Sequence, residues 1–526
     1  MSYHKNQVPG RAADWKIKIK RRLLLPRDTR LILQSGLFDE TWYREKYPDV
    51  SAARQPAVRH YLLFGGFEGR DPSPHFSSSW YLGTYPDVRS AGVNPLLHYI
   101  RFGKAESRMP RATLDVRQPA VEFPATTPEK ILQSSDLVPL IHRALKFDRF
   151  VLSISHNNYL TETTGGVQVY IARQQKSLFS QGVSYLHLFP NKFNLYLLEQ
   201  HSQFLIGINI DGVYLGVSEV DQVLAALRQL DGLALESFHI HHLMGFNIHA
   251  VEQILEFSNR QAEFWLHDFF SLCPSYHLLR NDVEYCGAPS LDSNACGICK
   301  YGLLRKQQLP TLQNLFAKYD LTVIAPSNFS LNLWQTKFPY QGSNSKVVPL
   351  LTIRWKEPIQ VNPSRDHLSI GYIGFPLEQK GWKTWMDLTD TLRADDRYRF
   401  YHFSSVKGTP GNYKRIHVAV TPAKPTLMID NLIKENIDVA FLWSVVPETF
   451  SFTLHESLAA GCFIVTNKKS GNIQDFLHQH PQHGIVLDHE NDLLDLLSGD
   501  GLISLVQEYQ RNGKPTGALV HDSPQE

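Results

Sequence analysis

This 526-residue chain is short of several things. It has five cysteines, too few for a disulfide scaffold at this length, so a reducing cytoplasm is the expected compartment. It has no uninterrupted apolar run of the ~18 residues needed to cross a bilayer. No apolar run ending in a small-residue cleavage site follows the basic N-terminus, so no secretory leader is expected. Net charge is only +2, and the chain as a whole is not built for nucleic acid. What is present is a hydrophobic fraction of 43%, that of a globular protein. The length suggests roughly two to four domains.

Charge is unevenly spread. Lys5, Arg11, Lys16, Lys18, Lys20, Arg21, Arg22, Arg27 and Arg30 face only Asp14 and Asp28, with Trp15, Ile17, Ile19 and Leu23 to Leu25 interleaved. Such a mixture suits an anionic membrane surface. It equally describes a solvated basic arm.

A repeat follows. Phe38, Trp42-Tyr43, Tyr47-Pro48-Asp49-Val50, His60-Tyr61, Gly65, Glu68 and Arg70 return 38 residues on. The second copy is Phe76, Trp80-Tyr81, Tyr85-Pro86-Asp87-Val88, His98-Tyr99, Gly103, Glu106 and Arg108. This period marks a repeated supersecondary unit, read here as a small helical pair with Tyr-Pro-Asp as its exit turn. Trp42, Tyr43, Trp80 and Tyr81 make either a carbohydrate or partner platform or simply a core. A stretch containing Pro119, Pro124 and Pro128 then reads as a semi-stiff linker.

Beyond the linker, short apolar runs alternate with helical patterns, as in α/β folds with parallel sheets. Phe150–Ser155 leads into Gly165-Gly166 and a helical stretch ending at Gly182. Strand, glycine turn and helix together let backbone close on a phosphate. Phe238–His242, Phe264–Asp268 and Leu321–Asn328 are further strands with polar residues at their C-terminal ends. His239 and His241 alternate along one strand and serve either as metal ligands or as core and cleft histidines. Cys273, Cys286, Cys296 and Cys299 cluster here, with Cys296-Gly-Ile-Cys299 forming a knuckle. They suit a structural zinc site, buried thiols or a disulfide. Leu368–Gly374 opens a second such half, followed by Lys380-Gly381.

The most informative segment is Pro447-Glu448-Thr449-Phe450-Ser451 running on to Glu456 and Leu458-Ala459-Ala460-Gly461. Ser451 is a good N-cap, and Gly461 sits where a helix stops in a left-handed residue. Glu448 therefore lies on the loop before a helix and Glu456 on the helix itself. A helix N-terminus between two carboxylates favours a diphosphate flanked by two hydroxyl-bearing ends.

This segment resembles the Glu-x7-Glu signature of retaining glycosyltransferases, with family 4 the nearest likeness. The resemblance implies an α/β fold of the GT-B type: two facing Rossmann-like domains, here preceded by a small, mainly helical repeat module. It implies that Glu448 faces the donor sugar, Glu456 binds the ribose hydroxyls, and Lys380 takes the donor phosphates. Gly165, Gly166, Ser327 and Gly374, together with backbone N–H groups near Phe450 and Ser451, line the donor site. His267 lies on the acceptor side and orients a sugar or acceptor hydroxyl. No cofactor is expected for catalysis. Phe375 stands where the family has a phosphate-clamping arginine, and Arg354, Lys383 or another base would have to replace it. The Tyr-Pro-Asp-Val repeats resemble units found beside bacterial glycosyltransferases of surface-polysaccharide assembly.

The implied activity is retaining transfer from a nucleotide-diphosphate sugar to a hydroxyl of a glycan or lipid-linked glycan. The implied location is cytoplasmic, peripheral on the inner face of the membrane. A non-catalytic glycan-binding or assembly protein and a nucleotide-sugar epimerase are the alternatives; the Thr-Phe-Ser-Phe loop favours the transferase. The expected division is a basic arm 1–37, repeats 38–110, linker 111–146, acceptor domain 147–350 with a Cys-rich insertion, donor domain 351–512 and polar tail 513–526.

Overall fold

The structure is a computed structural model. It describes residues 26–52, 55–106, 108–111, 130–161, 165–192, 194–198, 204–338, 344–359, 367–421, 424–511 and 513–520. The chain parts into two compact units. One comprises Met1–Thr127 with Leu279–Lys306, the other Pro128–Leu278 with Gln307–Glu526.

The first unit is helical. One copy of the repeat has helices Glu40–Lys46, Pro48–Ala52 and Ala57–His60, the last running into a π-turn, Tyr61–Gly65. The other has Ser78–Thr84, Pro86–Ser90, Pro95–His98 and Tyr99–Gly103. Pro48 and Pro86 each end one helix and open the next, since proline lacks the N–H that an interior position needs. The repeated residues answer one another. Tyr43 and Tyr81 hydroxyls meet His60 and His98 Nδ1 at 3.1 and 3.0 Å. A Cβ on Gly65 or Gly103 would collide with those same hydroxyls. Arg70 grips Asp49 at 2.8 Å, and Arg108 grips Asp87 at 2.9 Å.

Tyr43 and Tyr81 are fully buried, which excludes a carbohydrate platform that uses them; the rings are core. Two expected boundaries also move. The arm 1–37 is structured from residue 26, where a helix over 26–34 buries Ile32 in the repeat core. Its residues before 26 lie outside the described residues. The cysteine-bearing segment, expected as an insertion of the acceptor domain, joins the repeats instead. Asn281 Nδ2 donates to the Gly69 carbonyl at 3.3 Å, and Lys46 Nζ donates to the Lys300 carbonyl at 3.4 Å.

The second unit contains two Rossmann-like α/β domains. The first has a nine-stranded sheet in the order Ile131–Leu132, Val213–Ser218, Ile206–Ile210, Ser184–Pro190, Arg149–Ile154, Ala234–Ile240, Gln261–Trp265, Asp320–Ala325, Ser345–Val347. Among the described residues of this sheet, only the pairs that Ile206–Ile210 makes are antiparallel. The second has six parallel strands, in the order Lys414–His417, Tyr398–Ser404, Leu368–Ile373, Val439–Phe441, Phe463–Asn467, Gly484–Leu487. Numbered along the chain, that order is the doubly wound 3-2-1-4-5-6, in which ligands bind where the order reverses.

The expected linker 111–146 ends early. Pro119, Pro124 and Pro128 lie outside the described residues, but Ile131–Leu132 is a strand and Ser134–Ala144 a helix burying Leu137, Ile141 and Ala144, with Pro139 inside it. That apolar stripe at helical spacing gives the segment a face to bury. The expected polar tail likewise supplies the strand Gly517–Val520, antiparallel to Thr352–Trp355. Its Ala518-Leu519-Val520 is apolar enough to pair there. The core between the two domains is Tyr170, Trp265, Ile324, Leu350, Leu351 and Phe450, with Phe452 and Leu519 packed against it.

Candidate functional site

In the second domain the strand order reverses between Leu368–Ile373 and Val439–Phe441. The loops after these two strands carry Gly374 with Lys380 and, on the other side, Glu448. Both are stitched together: Val445 N donates to the Gln379 carbonyl at 2.9 Å and Ser444 Oγ to the same carbonyl at 3.1 Å. Gly381 adopts φ +80°, and a Cβ there would collide with the Trp443 carbonyl. This close approach requires glycine after Lys380. Lys380 Nζ thereby donates to Glu448 Oε1 at 2.8 Å across 68 residues of sequence. Gly374, at φ +117°, accepts from His402 Nε2 at 3.1 Å through its carbonyl.

Glu448 is held at its backbone. Its N–H donates to Ser470 O at 3.3 Å, and its carbonyl accepts from Asn472 N at 2.9 Å. Gly471, at φ +65°, lies so close that a Cβ would stand 2.7 Å from Glu448 N and O. Ser451 caps the helix Phe452–Ala459, accepting from Leu454 N at 3.2 Å, and Gly461 follows the helix at φ +77°. Glu456, on this helix, is only 8% exposed. Burial pushes its carboxyl up to about 7, against a smaller opposing pull from Arg173. Phe450 is a wedge: it stacks on His455 with centroids 4.5 Å apart and packs in the interdomain core.

The first domain meets this loop from the other side. Thr449 Oγ1 donates to the His267 carbonyl at 2.6 Å, and Ser327 Oγ donates to the Thr449 carbonyl at 2.7 Å. Ser327 also caps the helix Asn328–Lys337, accepting from Ser330 N at 3.1 Å. Its hydroxyl is thus taken up in positioning the glutamate loop. Gly165 precedes the helix Gly166–Ser180, which has no side-chain cap bond. Gln168 folds back over Gly165 so closely that a Cβ would collide with Oε1.

His267 ends a buried chain. Gln174 Oε1 accepts from the Tyr185 hydroxyl at 2.9 Å and lies 3.0 Å from His241 Nε2 and 3.3 Å from His239 Nδ1. His241 Nε2 therefore carries the proton, and His241 Nδ1 accepts from His267 Nε2 at 3.0 Å. That leaves His267 Nδ1 as an acceptor. Burial lowers its pKa to about 3, so the ring is neutral at ordinary pH. His242 is different: its Nδ1 accepts from Met244 N at 3.0 Å and its Nε2 donates to Asp268 at 3.0 Å, so both nitrogens are occupied. His239 and His241 do share one side of their strand, but they turn to Gln174.

Among the described residues no group of three or more His, Cys, Asp or Glu side chains is gathered as a metal's ligand set. None of the five cysteines is in a disulfide. Arg305 Nη1 donates to Cys296 Sγ at 2.9 Å, and burial raises the thiols of Cys286 and Cys299. Of the bases considered as substitutes at Phe375, Lys383 pairs with Asp387 at 2.9 Å and Arg354 is exposed on its strand.

No protein-family model and no curated protein matches the chain. Among solved structures, it is similar to a sucrose-phosphate synthase from Thermosynechococcus elongatus, with a TM-score of 0.44 and 11% identity over 69% of this chain and 93% of that one. It is also similar to HepE from Anabaena in complex with UDP-glucose, at TM-score 0.40 and 12% identity over 69% and 93%. A third is WaaG, a glycosyltransferase involved in lipopolysaccharide biosynthesis, at 0.39 and 11% over 69% and 94%.

Gly471, Thr449, Gln174 and Arg173 were not singled out from the sequence. Gly471 had a signal in Ser470-Gly471-Asn472 before a helical run. Gln174 and Arg173 had none, being polar residues of an ordinary amphipathic helix.

Proposed function

We propose that the chain is a glycosyltransferase of the retaining type, moving a sugar from a nucleotide-diphosphate donor to a hydroxyl of a growing glycan or lipid-linked glycan. The observation that carries this is the Lys380–Glu448 pair, 2.8 Å apart, in the crevice where the second sheet reverses, with Glu456 on the helix that follows. In this reading the helix N-terminus at Phe452 and the Gly165-Gly166 turn bring N–H groups to the diphosphate, and Glu456 takes the ribose hydroxyls.

The bond from the sugar's anomeric carbon to the β-phosphate oxygen breaks. The acceptor oxygen bonds to that carbon from the same face, and its proton leaves with the phosphate. Negative charge grows on the phosphate, where Lys380 and the helix N–H groups stabilise it. Glu448, tied to Lys380, holds the sugar and need not be a nucleophile. The unprotonated Nδ1 of His267 accepts from a hydroxyl and orients it, which suits a neutral ring.

Release of nucleoside diphosphate from a panel of nucleotide sugars tests the reading, with Glu448→Gln as control. Turnover by the wild type, lost in the variant, is expected; equal release by both would remove Glu448 from the site. Phe375 in place of an arginine favours the second reading, a non-catalytic glycan-binding body. No helix among the described residues is long and apolar enough to cross a membrane. Peripheral contact of the basic arm with an anionic surface, from the cytoplasm, completes the proposal.

A further inference from the structure

We propose that Arg173 supplies the guanidinium of the donor site, its unpaired Nη1 taking an oxygen of the donor's diphosphate. This rests on the transferase reading and adds to it a residue from the opposite domain.

Arg173 lies seven residues after Gly166, about two turns along one face of the helix Gly166–Ser180. Both residues face Phe452, the first residue of the helix that bears Glu456. A Cβ on Gly166 would stand 3.4 Å from that ring, and Arg173 Cζ is 5.6 Å from its centre. Glu456 follows Phe452 by one turn and acts electrostatically on Arg173. Yet no hydrogen bond or ion pair joins these two groups among the described residues.

Arg173 Nη1 is buried and has no hydrogen-bond partner among the described residues. A guanidinium N–H is rarely left so, because its desolvation goes uncompensated. The unpaired atom belongs to the side chain whose planar fork matches phosphate oxygens. It also lies beside the helix start to which the diphosphate is assigned. The second domain has Phe375 where a clamp of this kind is expected, and Lys383 is paired elsewhere. Arg173 supplies the missing fork from the other domain, so the diphosphate would bridge the two.

Calorimetric titration of the full chain with inorganic pyrophosphate, nucleoside diphosphates and the matching nucleosides tests this in wild type, Arg173→Gln and Arg173→Lys. Arg173→Gln should bind pyrophosphate and the best diphosphate about tenfold more weakly or worse, and the nucleoside unchanged. Arg173→Lys keeps the charge without the fork and should fall between; it also serves should the glutamine variant fail to fold. Wild-type affinity for pyrophosphate and diphosphates in both variants overturns the assignment, as does a wild type that binds no pyrophosphate. Pyrophosphate bound through Arg173, with every nucleoside diphosphate rejected, keeps this anion site and removes the transferase reading.

Discussion

At the C-terminal edge of the sheet built on Arg149–Ile154 stand His156, His241, His242 and His267. At the same edge of the sheet built on Leu368–Ile373 stand Lys380 and Glu448, with Glu456 beyond. The backbone logic is shared, since both groups follow parallel strands at a reversal of order. The chemistry is opposite. Burial acts on each group against its charged form, so it lowers His156, His241 and His267 and raises Glu456. At His156, His241 and His267 the first domain therefore presents neutral rings that accept and donate hydrogen bonds. The second keeps a half-exposed ion pair beside a buried acid. Position comes from the sheet; the charge comes from the loops and from how deeply they are covered.

Lys380→Ala should break the charged side most strongly. Transfer should slow on the order of 100-fold if, as proposed, the lysine acts on developing phosphate charge. The melting temperature should barely move, since half-exposed ion pairs contribute little. Normal turnover in that variant would misplace the donor site.

Glu456→Gln sharpens the comparison through pH. The folded pKa of Glu456 is about 7 against an ordinary 4.5, so between these values the folded chain holds a proton that the unfolded chain has lost. That stabilisation is fully present below 4.5 and disappears as pH rises through 7, a change on the order of 3 kcal/mol. Thermal unfolding from pH 4.5 to 8 should show a decline in wild type that is reduced in the glutamine variant. Parallel curves would mean that Glu456 is not buried as described.

His267→Phe tests the neutral side. KM for acceptor should rise roughly fivefold, about 1 kcal/mol, for one lost hydrogen bond, with kcat less affected. Because the ring is neutral above pH 5, the wild-type acceptor KM should not change with a His267 titration between pH 5 and 8. A step there assignable to His267 by NMR would refute the tautomer chain.

The smallest expected effect concerns metal. Elemental analysis of untagged protein should find well under one zinc per chain, and chelation should leave the melting temperature in place. About one zinc per chain would restore the knuckle at Cys296 and Cys299.

Much of the second domain was legible because local signals agreed with one another. Ser451 capped, Gly461 stopped the helix, and strand, loop, helix and strand followed in order. Lys380 and Glu448 were both identifiable, but their 2.8 Å contact depends on Gly381 pressing against Trp443, 62 residues further along the chain. The repeats were visible through their 38-residue period, and the reason for each repeated residue emerged only when tyrosine, histidine and glycine were brought together. Tertiary pairing hid the rest. Leu279–Lys306 joins a module more than 150 residues away in sequence, the last apolar residues complete a two-stranded sheet, and Arg173 looks like any helix-surface base until Phe452 is placed over it.

The most direct measurement is calorimetric titration of the nucleoside diphosphate that best matches the donor into wild type and Glu456→Ala. Saturable binding by the wild type, weakened in the variant by about 1–3 kcal/mol through loss of hydrogen bonds to ribose, is the predicted result. Equal affinity in a folded variant, or a wild type that binds no nucleoside diphosphate, would contradict the donor site placed at Lys380, Glu448 and Glu456.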